Sequence, residues 1–130
     1  MELAFSWPAT NGEWLAFVAA ALTALWGLVH LLAPRVALRV AGLQIQADRP
    51  GALAHVRGPM AGFYFGTGLS ALLLAQPLVY MVLGFCWLFS AFGRLIGMLS
   101  DGAGVRNMVL LGVGLLLTAM PLVFVFGFVP

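Results

Sequence analysis

The chain has 130 residues and a formal net charge of +2; 63% of its residues are hydrophobic and 8% are charged, against about a quarter charged in ordinary soluble domains. Together with a mean hydropathy of +1.08, this excludes a soluble globular domain and places the chain in the membrane class. Four spans of about 20 apolar residues consume most of it, so residues 1–130 form one domain without room for a water-soluble catalytic head.

In chain order, the start MELAFSWPATNGEW carries Glu2 and Glu13 and no basic residue, which predicts no secretory signal. Residues 14–33 are uncharged and end at Pro34-Arg35, a first span of the right length. The segment PRVALRVAGLQIQ that follows sets Arg35 and Arg39 four residues apart, with Val36, Val40 and Leu43 on nearby faces. It reads either as a helix on the inner interface that attracts anionic headgroups or as a loop that sets topology. In residues 58–99 the only formal charge is Arg94. A continuous helix there would be about 63 Å long, twice the hydrocarbon thickness. The stretch must therefore fold back, and Gln76-Pro77 is the expected break, giving spans at 59–75 and 77–99. Ser100-Asp101-Gly102-Ala103-Gly104 is a turn, and the last span is 108–128.

These runs are far longer than the ~10-residue strands of an outer-membrane barrel. The expected fold is an all-α membrane protein, a four-transmembrane-helix bundle. Arg35, Arg39, Arg49 and Arg57 lie between the first two spans and Arg106 between the last two, while the termini and the Gln76-Pro77 turn have no Lys or Arg. The positive-inside rule puts both arginine-bearing connections on the cytoplasmic side of a bacterial inner membrane and both termini outside. Trp7 and Trp14 fit an aromatic belt at the outer interface.

Gly58, Gly62, Gly66 and Ser70 recur every four residues on the second span, and Gly93 and Gly97 on the third. Such faces let helices approach closely. They are expected to pack inside the bundle against Ala16, Ala20 and Ala24 of the first span, with homo-oligomer or larger-complex contacts as the alternative. Tyr64, Thr67 and Ser70 are expected to hydrogen-bond across helices or else to line a cavity.

Arg94 is the most informative polar residue, because an arginine inside a span is costly unless it faces the bundle interior or reaches the interface. Asp101, seven positions on, is its expected counter-ion. The alternative for Arg94 is a site for an anionic ligand or lipid phosphate. Arg57, Arg94, Asp101, Arg106 and Asn107 gather at the inner end, so a ligand site is sought there, with Tyr64 on the adjoining span.

His30 and His55 have no nearby carboxylate or Cys pattern and predict no metal site. Cys86 reads as a small buried apolar residue. The run GTGLSA at 66–71 fits a dinucleotide fingerprint but lies inside an apolar helix with no strand before it, and is rejected. No reaction motif or cofactor signature is present, and the charge is too small and dispersed for nucleic acid.

At HVRGPMAGFYFGTGLSALLLAQP and FGRLIGMLSDG the sequence resembles a bacterial family of small four-helix membrane proteins of unknown function, similar in layout to DoxX-like proteins. Arg57, Gly58, Gly62, Gly66, Gly93, Arg94, Asp101 and Gly102 stand at its recurrent positions. The resemblance implies architecture more than activity and brings no catalytic residues. The label "phage infection protein" carried by some similar sequences implies a surface or uptake role. The expected function is thus that of a non-enzymatic accessory, lipid-binding or uptake protein in contact with membrane lipids. The alternative is a membrane enzyme or carrier for a lipophilic anion or quinone-like molecule held by Arg94 and Arg57.

Overall fold

The computed structural model describes residues 7–130; residues 1–6, part of the stretch read for a leader, lie outside them. Helix α1 (Asn11–Leu32) begins before residue 14 because Thr10 and Glu13 cap it. The Thr10 hydroxyl accepts from the Glu13 N–H at 3.2 Å, and the Glu13 carboxylate accepts from the Ala9 N–H at 3.1 Å. A further N–H of this first turn, that of Gly12, donates to the Pro130 carbonyl at 2.8 Å. The end of the chain therefore closes over the start of α1, where a side chain at Gly12 would collide with the Val129 carbonyl.

Pro34 has no N–H to continue α1 and instead opens α2 (Pro34–Ala41), which Gly42 ends in the left-handed region at φ 79°. The segment read as interfacial helix or loop is therefore helical over its first eight residues. After a 3-10 turn at Pro50–Ala52, the short α3 (Leu53–His55) passes through a π-turn at Val56–Met60 into α4 (Ala61–Leu74). Pro59 explains the π-turn, because it lacks a donor and its ring crowds the carbonyl one turn back. Ala75 (φ 49°) and extended Gln76 reverse the chain, and Pro77 starts α5 (Pro77–Asp101). Gly102 breaks that helix before α6 (Val105–Val125), which starts and ends three residues earlier than the predicted span.

The described residues are all-helical, with no strand. Three of the helices, α1, α5 and α6, are long and apolar enough to cross a membrane, which marks a multi-pass membrane protein. Side-chain size is distributed accordingly. The interior is largely small residues (Ala16, Ala19, Ala20, Ala71) around Leu83, while Phe63, Phe89, Leu99 and Leu116 are more than half exposed. Lipid tails solvate large apolar groups as well as a protein core does, so association rests on close backbone approach.

Helix α1 packs against α4 on one side and α6 on the other, and α5 lies along α6. The buried stripe of α1 includes Gly12, Ala16, Ala20, Thr23, Gly27 and His30, spaced by three or four residues. It meets α4 at two glycines: a Cβ on Gly68 would lie 2.5 Å from the Ala24 nitrogen, and one on Gly27 would overlap the Phe65 backbone. This corrects the predicted seam. Ala16, Ala20 and Ala24 are buried as expected, but their partner face on α4 carries Ala61, Gly68 and Ala71. Gly58, Gly62, Gly66, Gly93 and Gly97 have open space where a Cβ would stand, and Ser70 is exposed. Their four-residue spacing makes a flat face without putting another helix of this chain on it.

Gly68→Ala must therefore push α1 and α4 apart. We expect a loss of about 1–3 kcal/mol, seen as a lower melting temperature in mild detergent, whereas Gly66→Ala leaves melting unchanged or raises it.

Candidate functional site

Helices α4 and α5 are joined by two residues but meet over much less of their length than α1 meets α4 or α5 meets α6. Three depressions lie along α5, two of them facing α4 and one at the α6 end. At the end where α5 meets α6, an open depression of about 430 Å³ is lined by Ser90, Arg94, Gly97, Asp101 and Asn107. Ser90 also lines a more enclosed cavity of about 210 Å³, with Thr23 of α1, Tyr64 and Thr67 of α4, and Cys86 and Trp87 of α5. Phe63 and Thr67 also line an apolar trough of about 430 Å³, with Gly62, Gly66 and Ser70 of α4 and Leu78 and Val82 of α5.

In the first depression, Arg94 Nη1 donates to Asn107 Oδ1 at 3.0 Å. Asp101, the expected counter-ion, lines the same depression but accepts no bond from Arg94. The seven-residue spacing puts Asp101 near the right face of α5, yet it is an exposed residue at the helix end, while Asn107 is presented from the facing helix. A guanidinium has five N–H donors. Among the described residues only Asn107 accepts one from Arg94, so this half-buried cation keeps most of its donors for another acceptor.

The other predicted inner-end residues are not brought to this depression. Arg57 Nε donates to the Leu31 carbonyl at 3.2 Å, satisfying one of the unpaired carbonyls in the last turn of α1. Arg106 lies over Gly42, where a Cβ would collide with its guanidinium, and so links the start of α6 to the end of α2. Both are exposed. Of the predicted cluster, Arg94, Asp101 and Asn107 share a site.

Tyr64 lines the middle cavity, not the Arg94 depression. Trp26, His30, Tyr64 and Trp87 form a row with centroid separations of 4.7, 5.0 and 5.6 Å. His30 is 3% exposed and its Nδ1 donates to the Trp26 carbonyl at 2.8 Å. Trp87 Nε1 donates to the Thr23 hydroxyl at 2.8 Å, which itself donates to the Ala19 carbonyl at 2.8 Å. The expectation of cross-helix bonds from Tyr64, Thr67 and Ser70 is corrected: none of these hydroxyls bonds another residue among those described. Cys86 is exposed toward the middle cavity, not buried, because α4 does not close over that face of α5.

Sequence reading missed Thr23, Trp87 and Ser90. Thr23 had a signal, since it continues the small stripe of α1 three residues after Ala20; Trp87 and Ser90 had none without knowing which face of α5 looks toward α4. No family model, curated protein or solved structure matches the chain.

Thr23→Val removes the acceptor of the Trp87 indole at a buried position. The expected destabilisation is about 0.6–1.7 kcal/mol, with a shift in Trp87 fluorescence that Thr23→Ser does not produce.

Proposed function

We propose that this chain is a four-pass protein of a bacterial inner membrane that holds an anionic amphiphile in a groove along α5, bounded by α4 on one stretch and by the start of α6 on the other, without catalysis. The headgroup sits on Arg94 and Asn107, and the hydrocarbon runs along the trough floored by Gly62 and Gly66. The observation that carries this reading is that neighbouring depressions share walls: Ser90 lines both the Arg94 depression and the middle cavity, and Phe63 and Thr67 line both that cavity and the apolar trough. A guanidinium not bonded to the Asp101 carboxylate beside it, hydroxyls in the middle and an apolar trough beyond follow the polarity of a lipid from headgroup to chain.

The fourth pass in this reading is residues 53–74, helical without interruption through the π-turn and about 33 Å long at ~1.5 Å per residue. Its one arginine, Arg57, lies near its first end, as a residue reaching the interface does. Four passes bring Arg35, Arg39, Arg49, Arg57 and Arg106 to one side, which the positive-inside rule assigns to the cytoplasm, and leave both termini outside. Arg94 is then about 10 Å in from the end of α5 at Asp101, within side-chain reach of phosphate depth. A phosphate or carboxylate there accepts two parallel bonds from the guanidinium. The open glycines act in this reading as the floor of the trough, where any side chain would fill the space a chain occupies.

Two measurements test the proposal. Alkaline phosphatase fused at Gln76 is expected to be active and at Asp48 inactive; the reverse pattern refutes the topology. Native mass spectrometry of the detergent-solubilised protein is expected to show retained phosphatidylglycerol that falls about tenfold in Arg94→Gln, the scale of a charge-assisted hydrogen bond. It should fall similarly in Gly66→Leu but not in Arg35→Gln. Equal retention in all four proteins rules out the groove as the binding place.

A further inference from the structure

Hydroxyls inside the helices of this protein fall into two groups. Thr23 and Thr118 donate back to the carbonyl four residues earlier, Ala19 at 2.8 Å and Gly114 at 2.9 Å, the usual way a hydroxyl is satisfied within a helix. Tyr64, Thr67, Ser70, Tyr80, Ser90 and Ser100 do not: among the described residues none of these hydroxyls has a hydrogen-bond partner. Of these, Tyr64, Thr67 and Ser90 line one cavity of about 210 Å³, whose other walls include Phe63, Leu83 and Trp87. Among the described residues no buried side-chain polar atom is left unsatisfied, so the Tyr64 and Thr67 hydroxyls keep accessible surface, and Ser90 is itself exposed.

Their position relative to Arg94 is set by helix geometry. Ser90 is one turn from Arg94 on α5, about 6 Å along the axis. Tyr64 and Thr67 are three residues apart and share a face of α4. Side chains lean toward the start of their own helix, so on α4 the two hydroxyls lean toward the Arg94 end, and on antiparallel α5 Ser90 leans toward them. The three therefore converge one to two turns deeper than the guanidinium. In hydrocarbon, where water does not compete, a hydroxyl without an acceptor is unfavourable. What the three hydroxyls offer is donation to uncharged acceptors, just below a group that binds an anion.

On the groove reading above, we infer that the bound amphiphile is an ester-linked diacyl glycerophospholipid, its phosphate on Arg94 and its ester carbonyls accepting from Ser90 and from Tyr64 or Thr67. Such a lipid carries two carbonyl oxygens directly below its phosphate. A dialkyl ether lipid of the same headgroup and chains has the phosphate without those acceptors.

The deciding experiment displaces spin-labelled phosphatidylglycerol from the purified full-length protein with dioleoyl phosphatidylglycerol or with its dialkyl ether analogue. In the wild type the diester is expected to compete about tenfold better, two membrane hydrogen bonds at about threefold each. Tyr64→Phe, Thr67→Val and Ser90→Ala are each expected to leave ether competition unchanged, and those that lose a bond narrow the ester-to-ether ratio about threefold. Unchanged ether competition also shows that a variant is folded; if every variant fails that control, the wild-type ratio alone decides. Equal competition by diester and diether in the wild type overturns the inference while leaving the groove reading intact. Failure of both lipids to compete, with Arg94→Gln indistinguishable from wild type, overturns the groove reading itself.

Discussion

Backbone contact between α1 and α4 at Gly27 and Gly68 is the constraint on which the rest of the arrangement depends. Without a Cβ at either position, the two helices come together so closely that backbone nitrogens and carbonyls take the place of side chains at the contact. That approach commits α4 to α1. Helix α5 is committed elsewhere, to α6, where the Leu122 side chain fits over Gly84. The two-residue link at Ala75–Gln76 joins α4 to α5 in sequence without making them partners in packing. The middle cavity and the apolar trough are the space left between these two pairings, while the Arg94 depression lies on the α5–α6 pair itself.

The same logic explains which parts of the sequence were legible. Breaks at Pro34, Gln76-Pro77 and Gly102 could be read because each follows from local chemistry: a missing donor, a fixed φ, a residue tolerant of positive φ. The small stripe of α1 was legible because Ala16, Ala20 and Ala24 are too small to serve any purpose except close approach. The Thr10-x-x-Glu13 cap was equally local and was overlooked, which put the start of α1 too late. Gly62 and Gly66 were misassigned because glycine spacing reports that a face is flat and says nothing about what covers it. Their opposite number, Gly68, stands alone in the sequence and carries the contact.

Partners across helices were the least legible. Arg94 and Asp101 share a helix, so their spacing could be counted; Arg94 and Asn107 are related only through the register of α5 against α6, which no count along one helix provides. Arg57 was grouped with Arg94 because both were expected at one end of the protein. The structure gives Arg57 to the final carbonyls of α1 and Arg106 to the turn at Gly42, so two of the expected ligand residues are occupied in holding the chain's own turns.

That division among the arginines bears on why Arg94 stands apart. A cation at a helix end finds backbone carbonyls, neighbouring turns and water, and its contribution is topological as much as energetic. Arg94 is placed more than a turn before the end of α5, and its recorded acceptor is a neutral amide, which orients a guanidinium without cancelling its charge. Asp101 lies nearby on the rim yet unpaired with it. A carboxylate locked onto Arg94 would occupy the donors that an anionic group needs, whereas Asn107 fixes their direction and leaves the charge available. On the proposed reading, the exchange of a counter-ion for an amide is what frees Arg94 to bind, and it makes Asn107 as much a determinant of the proposed site as Arg94.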